Sequence, residues 1–439
     1  MEDMSPKEDI TQFIKILKEK YGYLPKWNHS AQFNGKIFYN APYFSDEELI
    51  EGVNTFLFGL WGASGRAVND FEKEFCKTVN NKFGVMVNSG SSANWCAIAA
   101  LKEYYKWEDN ITEGIVCSSC FPATAAALIH NNIKPIFIDA ELEGLNIDLD
   151  LLESKISKNT KFIFLAPTLG SPPDIDRLLE ICQKYNLILA GDFCDCLGST
   201  WNNKQLNEYA EISTCSMYVS HHITTCHGGI VTSNNEELIR IARSFSRWGQ
   251  GCYCSQVANL SKCGQCGMRE SAWFEQEPDL IWQHNYYYER VGHNLQPAMD
   301  MQGAIGLVQL KKLPEIHQRR KQHKDFVQGL FQKYIAGVNF PKSYDKADVS
   351  WFGTGIIFKD YEQKRKVIQY LNNNNIQYRE MFTGNLLLHG KYANYGPNYK
   401  EFPVSNEIMR RVIFLGCSPA WTQEHLDHIE EVLKNFKNE

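Results

Sequence analysis

The chain has 439 residues, of which 44% are apolar and 22% are charged, a composition typical of a globular protein large enough for two domains. Its 51 acidic and 45 basic side chains give a formal charge of −6, which offers no electrostatic basis for binding nucleic acid. Neither a membrane span nor an export signal is predicted, because the apolar runs have strand length and the N-terminus is rich in charged residues. We therefore expect a cytoplasmic protein.

Two helices are predicted before residue 60. In the segment 5–23, Ile10, Ile14 and Leu17 recur at helical spacing. The segment 45–58 follows Ser45, a suitable N-cap, and carries two glutamates in its first turn.

From residue 84 onward, strands and helices alternate. Apolar runs at 84–87, 115–117, 135–138, 162–166 and 187–190 predict strands, and helices are predicted up to residue 105, up to residue 130 and over 174–185. This alternation predicts an α/β protein with a mostly parallel sheet covered on both faces. A helix is expected at 299–325. A smaller α/β unit follows, with a strand at 353–358 and helices at 362–373 and 422–436.

Two polar segments stand at the ends of predicted strands. Ser89-Gly90-Ser91-Ser92 lies between a strand and a helix, where amides and hydroxyls could hold a phosphate; an ordinary N-cap is the alternative. Asp192 ends a very apolar strand, so its carboxylate would be desolvated unless it meets a cation such as a pyridinium nitrogen. A helix cap or a loop hydrogen bond is the alternative role for Asp192.

The segment from Ser216 to Gly229 contains adjacent histidines, His221 and His222, and no lysine. Adjacent residues do not share a face of a helix or strand, which disfavours joint metal binding. Structural histidines are the alternative.

Fourteen cysteines are present, and four of them cluster within fifteen residues: Cys252, Cys254, Cys263 and Cys266. This spacing suits an iron–sulfur cluster, while zinc, which usually binds two Cys-x2–4-Cys pairs, is less well matched. Four unrelated cysteines are the third possibility.

Taken together, the motifs resemble the sugar-nucleotide aminotransferase family often named DegT/DnrJ/EryC1/StrS. The resemblance covers nearly the whole chain from about residue 35. It is carried by Gly65-Arg66, Asn88-Ser-Gly-Ser-Ser-Ala-Asn94, Gly191-Asp192, Ser216 through Gly229, Gly292-His-Asn294 and Gln302-Gly-Ala-Ile-Gly306. Within the family, the nearest branch removes the C3 hydroxyl of CDP-4-keto-6-deoxyglucose. His-His-Ile-Thr in place of Lys-Asn-Ile-Thr, Arg247-Trp-Gly-x-x-Cys-x-Cys254 and Arg379-x-x-Phe382-x-Gly-Asn-Leu386 carry this narrower match.

The resemblance implies a type I aminotransferase fold, the fold type I of PLP enzymes, in a homodimer whose active sites are built by both subunits. It implies an N-terminal helical segment (1–50) that packs on the small domain, a large cofactor-binding domain (51–325) with a Cys-rich insertion at 249–267, and a small C-terminal α/β domain (326–439). It also implies that the protein acts in deoxysugar biosynthesis for the lipopolysaccharide O-antigen.

By position in the family, Ser91, Ser92 and Ser216 hold the cofactor phosphate, and Phe121 stacks on the cofactor ring. Asn294 reaches in from the neighbouring subunit.

The same resemblance implies that Asp192 pairs with the nitrogen of the cofactor ring and that Asp195 lies near the hydroxyl of that ring. His221 replaces the lysine of the aminotransferases, with Tyr218 close by. An imidazole cannot form a Schiff base, so the cofactor is expected as untethered pyridoxamine 5′-phosphate (PMP), with His221 as a base.

The same branch binds a [2Fe–2S] cluster through a cysteine beside the pyridine-binding aspartate. Cys194 occupies that place, and the 57 residues between it and Cys252 (252 − 194 − 1) match the spacing of the branch. The implied ligands are Cys194, Cys252, Cys254 and either Cys266 or Cys263, with Cys266 favoured. A separate flavin and iron–sulfur reductase would supply electrons.

The expected function is therefore C3-deoxygenation of a nucleotide-linked 4-keto-6-deoxyhexose. One alternative is a cluster-free, PMP-dependent GDP-4-keto-6-deoxymannose 3-dehydratase with glutamate as the amine source, and another is a dTDP-sugar 3-dehydrase. A plain aminotransferase would need a lysine at position 221, and a non-enzymatic zinc-binding relative would retain fewer cofactor positions.

Overall fold

The computed structural model describes residues 7–21, 32–59, 64–251, 270–297 and 299–437. The helices, in chain order, are α1 (Lys7–Tyr21), α2 (Asp46–Phe58), α3 (Arg66–Thr78), α4 (Gly90–Tyr104), α5 (Pro122–His130), α6 (Leu149–Leu152), α7 (Ile175–Tyr185), α8 (Glu236–Ser246), α9 (Met301–Tyr334), α10 (Tyr361–Asn373), α11 (Pro403–Arg411) and α12 (Gln423–Lys434). None of these helices is both long enough and apolar enough to span a membrane.

The strands, in chain order, are β1 (Phe83–Val87), β2 (Glu113–Cys117), β3 (Lys134–Ile138), β4 (Thr160–Leu165), β5 (Ile188–Asp192), β6 (Thr200–Trp201), β7 (Lys204–Gln205), β8 (Ile212–Ser216), β9 (Gly229–Ser233), β10 (Glu270–Ala272), β11 (Ile281–Gln283), β12 (Ala347–Asp348), β13 (Gly353–Ile357), β14 (Tyr378–Glu380) and β15 (Val412–Gly416).

The main sheet has seven strands in the order β1-β9-β8-β5-β4-β2-β3. Strands β3, β2, β4, β5 and β8 are parallel, and β9 runs antiparallel to both β1 and β8. This arrangement confirms the predicted α/β class with a mostly parallel sheet. Because the strands are parallel, the carboxyl ends of β2, β4, β5 and β8 meet at one edge, where ligands bind in α/β sheets.

The core of the large sheet is formed by strand residues that are buried on both faces, as expected for a parallel sheet. Ile115, Phe162 and Ala190 are fully buried, and Leu128 of α5 and Leu178 of α7 pack against them in the same cluster. The helices cover the sheet, so its edge at the strand ends is where polar side chains become accessible.

The N-terminal helices match their predictions. Ser45 caps α2: its hydroxyl accepts from Glu47 N–H at 3.2 Å, and the Glu48 carboxylate accepts from Ser45 N–H at 2.7 Å. Helix α1 packs on α2, and α2 packs on α9.

A smaller sheet, which is antiparallel and has the strand order β13-β15-β14, forms the C-terminal unit with α10, α12 and the end of α9. Helix α9 is a single helix of 34 residues, longer than the predicted 299–325. The proposed domain boundary at residue 325 falls inside this helix, and the division of the chain into domains remains a prediction.

Candidate active site

A cavity of about 860 Å³ opens at the carboxyl edge of the main sheet. Eight of the residues singled out from the sequence lie in its wall: Ser91, Phe121, Asp192, Cys194, Asp195, Ser216, Tyr218 and His221. They lie at or just after the ends of strands β1, β2, β5 and β8, which are separate in sequence but end at the same edge.

Asp192 is the last residue of β5 and is buried. Its Oδ2 accepts hydrogen bonds from Asn94 Nδ2 and from Thr124 Oγ1, each at 2.7 Å. Its Oδ1 has a longer contact of 3.4 Å with the N–H of Cys194. Among the described residues no lysine or arginine forms an ion pair with Asp192. The carboxylate therefore keeps one oxygen available for a donor within the cavity.

The other end of the cavity is formed by the N-terminus of α4 and by Ser216. Ser89 caps this 15-residue helix by accepting from the N–H of Ser92 at 3.1 Å. A methyl group added at Gly90 would come within 2.7 Å of Ser216 Cβ and 3.1 Å of Cys194 Sγ, so only glycine lets the start of α4 lie this close to both residues. Helix N–H groups and serine hydroxyls in this part of the cavity wall suit a phosphate.

His221 lies on the loop after β8, and its Nδ1 has two acceptors. The carbonyl of Cys194 lies 2.9 Å away, and Oδ1 of Asp195 lies 3.3 Å away. Because both neighbours are acceptors, a neutral imidazole must carry its proton on Nδ1, which leaves the lone pair on Nε2. None of the described residues hydrogen-bonds to Nε2. His221 is thus oriented as a base.

A buried framework supports His221 from behind. Arg320 of α9 is 1% exposed; it donates to the His221 carbonyl at 3.1 Å and to the Phe352 carbonyl at 3.2 Å. The Phe352 ring lies 5.2 Å from the His221 ring. His222 points into the protein and contacts the Ser350 carbonyl at 3.0 Å. Burial lowers the pKa of His222 well below its usual value, which fits a neutral structural histidine.

The sequence alone did not predict a role for several residues of the cavity wall. Asn94 belongs to the quoted Asn-Ser-Gly-Ser-Ser-Ala-Asn motif, and Thr124 follows the predicted stacking residue, but neither was assigned a role. Arg379 lies in the wall with its guanidinium 3.9 Å from the centre of the Tyr39 ring. Its presence in a quoted family motif was the signal that could have identified it. Among the described residues no lysine lines the cavity.

Two residues predicted to bind the cofactor lie outside the wall. Ser92 Oγ donates to Asn88 Oδ1 at 2.6 Å, within the turn itself. Asn294 is exposed and forms an isolated backbone bridge with Arg247. Within one chain, neither side chain reaches the cavity, and the predicted role of Asn294 in a neighbouring subunit stays a prediction.

Of the predicted cluster ligands, Cys194 lies in the cavity wall, and burial raises the pKa of its thiol well above the usual value. Cys252, Cys254, Cys263 and Cys266 lie outside the described residues. Within the described ranges no group of three or more His, Cys, Asp or Glu side chains is placed to hold a metal ion.

Comparison with known proteins gives consistent matches over most of the chain. Residues 44–434 match the model of the DegT/DnrJ/EryC1/StrS aminotransferase family. The lipopolysaccharide biosynthesis protein RfbH of Salmonella typhimurium is 32% identical over 384 residues, which cover 86% of each chain. The dTDP-4-dehydro-2,6-dideoxy-D-glucose 3-dehydratase of Saccharopolyspora spinosa is 30% identical over 381 residues, covering 85% of this chain and 81% of the relative. The solved structure of E. coli GDP-4-keto-6-deoxy-D-mannose-3-dehydratase with bound hydrated PLP is similar with a TM-score of 0.77 at 25% identity, and covers 90% of this chain and 98% of that chain.

Proposed function

We propose a function for this chain, which belongs to the DegT/DnrJ/EryC1/StrS aminotransferase family: it removes the C3 hydroxyl of a nucleotide-linked 4-keto-6-deoxyhexose with the help of PMP. The observation that carries the proposal is the oriented imidazole of His221 in a cavity to which the described residues contribute no lysine. A lysine amine would tether pyridoxal covalently, whereas an imidazole moves protons. The 3-dehydratases among the similar proteins support this reaction class.

The cavity fits a pyridoxal-type cofactor. The buried Asp192 carboxylate has an oxygen to spare and no ion-pair partner in the described chain, as a pyridinium nitrogen would require. The N-terminus of α4, with Ser91 and Ser216 in the cavity wall, suits the phosphate. When bound, the cofactor supplies an amine for the C4 ketone and a protonated ring that accepts electrons.

In this proposal Asp192 keeps the ring nitrogen protonated, while Asn94 and Thr124 hold its carboxylate in place. Ser91 and Ser216 bind the phosphate, and Phe121, which is 55% exposed in the wall, covers the ring.

His221 performs the proton transfers. Its Nε2 accepts a proton and delivers it to the departing C3 oxygen, so that the hydroxyl leaves as water. The Cys194 carbonyl and the Asp195 carboxylate keep a proton on Nδ1 of the imidazole throughout. Nε2 of the neutral imidazole therefore carries a lone pair and not an N–H.

The sugar nucleotide enters past Arg379, an exposed guanidinium in the wall that suits a diphosphate. The similar proteins act on dTDP- and GDP-linked sugars, so both join CDP as candidate nucleotides. The relative named for a GDP-linked sugar was solved with hydrated PLP, which supports a pyridoxal-type cofactor, and the likeness to it favours the GDP-linked, cluster-free alternative.

A cluster-dependent reaction is the second candidate, favoured by the position of Cys194 in the wall beside Asp192.

The decisive experiment incubates purified protein and PMP with CDP-, dTDP- and GDP-linked 4-keto-6-deoxyhexoses, with glutamate or with a chemical electron donor. Loss of the C3 hydroxyl in a reaction that requires only glutamate supports the cluster-free version. Loss that requires electrons, together with iron and acid-labile sulfide in anaerobically purified protein, supports the cluster. Amino transfer without C3 deoxygenation would overturn the proposal.

A further inference from the structure

The turn between β2 and α5 carries two cysteines with Cys-x-x-Cys spacing, Cys117 and Cys120. Both are free thiols, and both line the candidate cavity. Strand β3 follows α5 and pairs parallel with β2, so the motif occupies the first turn of a βαβ unit. Cys-x-x-Cys at such a position is typical of redox-active dithiols.

The backbone of the turn brings the two cysteines within reach of each other. The N–H of Cys120 donates to the carbonyl of Cys117 at 3.2 Å, which closes a four-residue turn. In such a turn the first and last Cα atoms lie within about 7 Å, which overlaps the range of about 4.4–6.8 Å found in disulfides.

Each sulfur also has local donors. Ser119 hydrogen-bonds to Cys117 Sγ through its hydroxyl, at 3.2 Å, and through its backbone N–H. The N–H of Ala125, in the first turn of α5, hydrogen-bonds to Cys120 Sγ. These donors stabilise a thiolate, but burial is the larger effect: it raises the pKa of Cys117 to about 11 and that of Cys120 well above its usual value. The pair therefore rests as two thiols.

We propose that Cys117 and Cys120 are a modification site: a dithiol in the cavity wall that small-molecule disulfides oxidise to an intramolecular disulfide. Both S–H bonds are lost, and one S–S bond forms between the two residues. Two electrons and two protons pass to the oxidant, whose own S–S bond breaks to give two thiols. A small reducing thiol reverses the exchange.

Oxidation alters the candidate active site, because the two sulfurs must come within bonding distance in a turn whose backbone is anchored. The N–H of Leu386 holds the Ser118 carbonyl at 2.8 Å, and Thr383 Oγ1 holds the Cys120 carbonyl at 2.9 Å. An S–S bond draws Cys120 Sγ toward Cys117 and competes with its hydrogen bond from the N–H of Ala125, which lies in the first turn of α5 beside Thr124, the partner of Asp192. A displacement of about 1 Å in an active site costs on the order of a hundredfold in rate.

A mass measurement tests the site independently of any activity. Trypsin releases residues 107–155 as one peptide, because Pro135 blocks cleavage after Lys134. This peptide contains these two cysteines and no others. Native protein is treated with glutathione disulfide, the remaining thiols are alkylated, and the digest is analysed without reduction. We expect a peptide that lacks both alkyl groups and is lighter than the reduced peptide by two hydrogen atoms. If the peptide stays fully alkylated while denatured protein forms the disulfide, the proposal is wrong.

The effect on catalysis rests on the proposed function and uses the same treatment. We expect the oxidised wild type to be more than about tenfold less active than the untreated wild type and to regain its activity with dithiothreitol. Cys117→Ser should keep its own untreated activity under oxidant, and Cys182→Ser, a control on α7, should respond as wild type does. Disulfide formation without loss of activity would overturn the effect on catalysis. A protein inactive on every sugar would overturn the proposed function and leave the mass result standing.

Discussion

The contact between Asp195 and His221 allows a quantitative prediction for Asp195→Asn. Asp195 Oδ1 lies 3.3 Å from His221 Nδ1, and the two side chains are 19% and 15% exposed. Asparagine keeps the size of the side chain, but it removes the charge and can offer its NH₂ group to Nδ1. The ring could then place its proton on Nε2, where the proposed reaction needs a lone pair.

The magnitude follows from the contacts that remain. The Cys194 carbonyl still accepts from Nδ1 at 2.9 Å, so the ring keeps one of its two orienting partners. A hydrogen bond to a charged group contributes about 1.5–3 kcal/mol, which corresponds to about a ten- to hundredfold loss in kcat. We expect little change in KM.

The assay measures loss of the C3 hydroxyl under steady-state conditions, with cofactor binding followed by absorbance. Asp348→Asn serves as a matched control, since Asp348 lies 3.8 Å from His317 in an Asp–His pair outside the cavity wall. A kcat of Asp195→Asn within about twofold of wild type, with KM unchanged, would refute the orienting role of Asp195.

Three further predictions concern the same framework and the small sheet. His221→Lys should lose C3 dehydration, and borohydride should then fix pyridoxal to position 221, as peptide mapping can show; labelling at another lysine would contradict the placement of this residue. Arg320→Met leaves the carbonyls of His221 and Phe352 without their buried donor, so we expect urea unfolding to show a loss of about 3 kcal/mol, whereas the exposed Arg365→Met should show no measurable change. Burial, with smaller contributions from His323 and His428, lowers the pKa of His425 to about 4, so the unfolded chain binds more protons than the folded chain between about pH 4 and 6.5. Stability should therefore fall by up to about 3 kcal/mol as the pH is lowered through this window, and His425→Gln should reduce that fall; an equal fall in the variant would show that other groups cause it.

Much of the fold could be predicted from the sequence, because its signals are local. The alternation of short apolar runs with helical patterns predicted strands β1 to β5 and helices α2, α4 and α7 close to their observed bounds. The Ser45 cap depends on residues three positions apart, and it was predicted for the same reason. Helix α9 was predicted too short, since nothing in its charged second half marks where it meets the small sheet.

The residue types of the site could also be read from the sequence: a carboxylate at the end of an apolar strand, small hydroxyl residues before a helix, and an imidazole in place of a lysine. Their mutual arrangement could not. Asn94 and Thr124 meet Asp192 from 98 and 68 residues away, and Arg320 reaches the His221 carbonyl across 99 residues. These contacts depend on the strand order β8-β5-β4-β2, which is set by pairing between distant segments. The chemistry of each side chain is thus local to the sequence, whereas its partners, its burial and the tautomer of His221 arise where the strand ends converge in the folded chain.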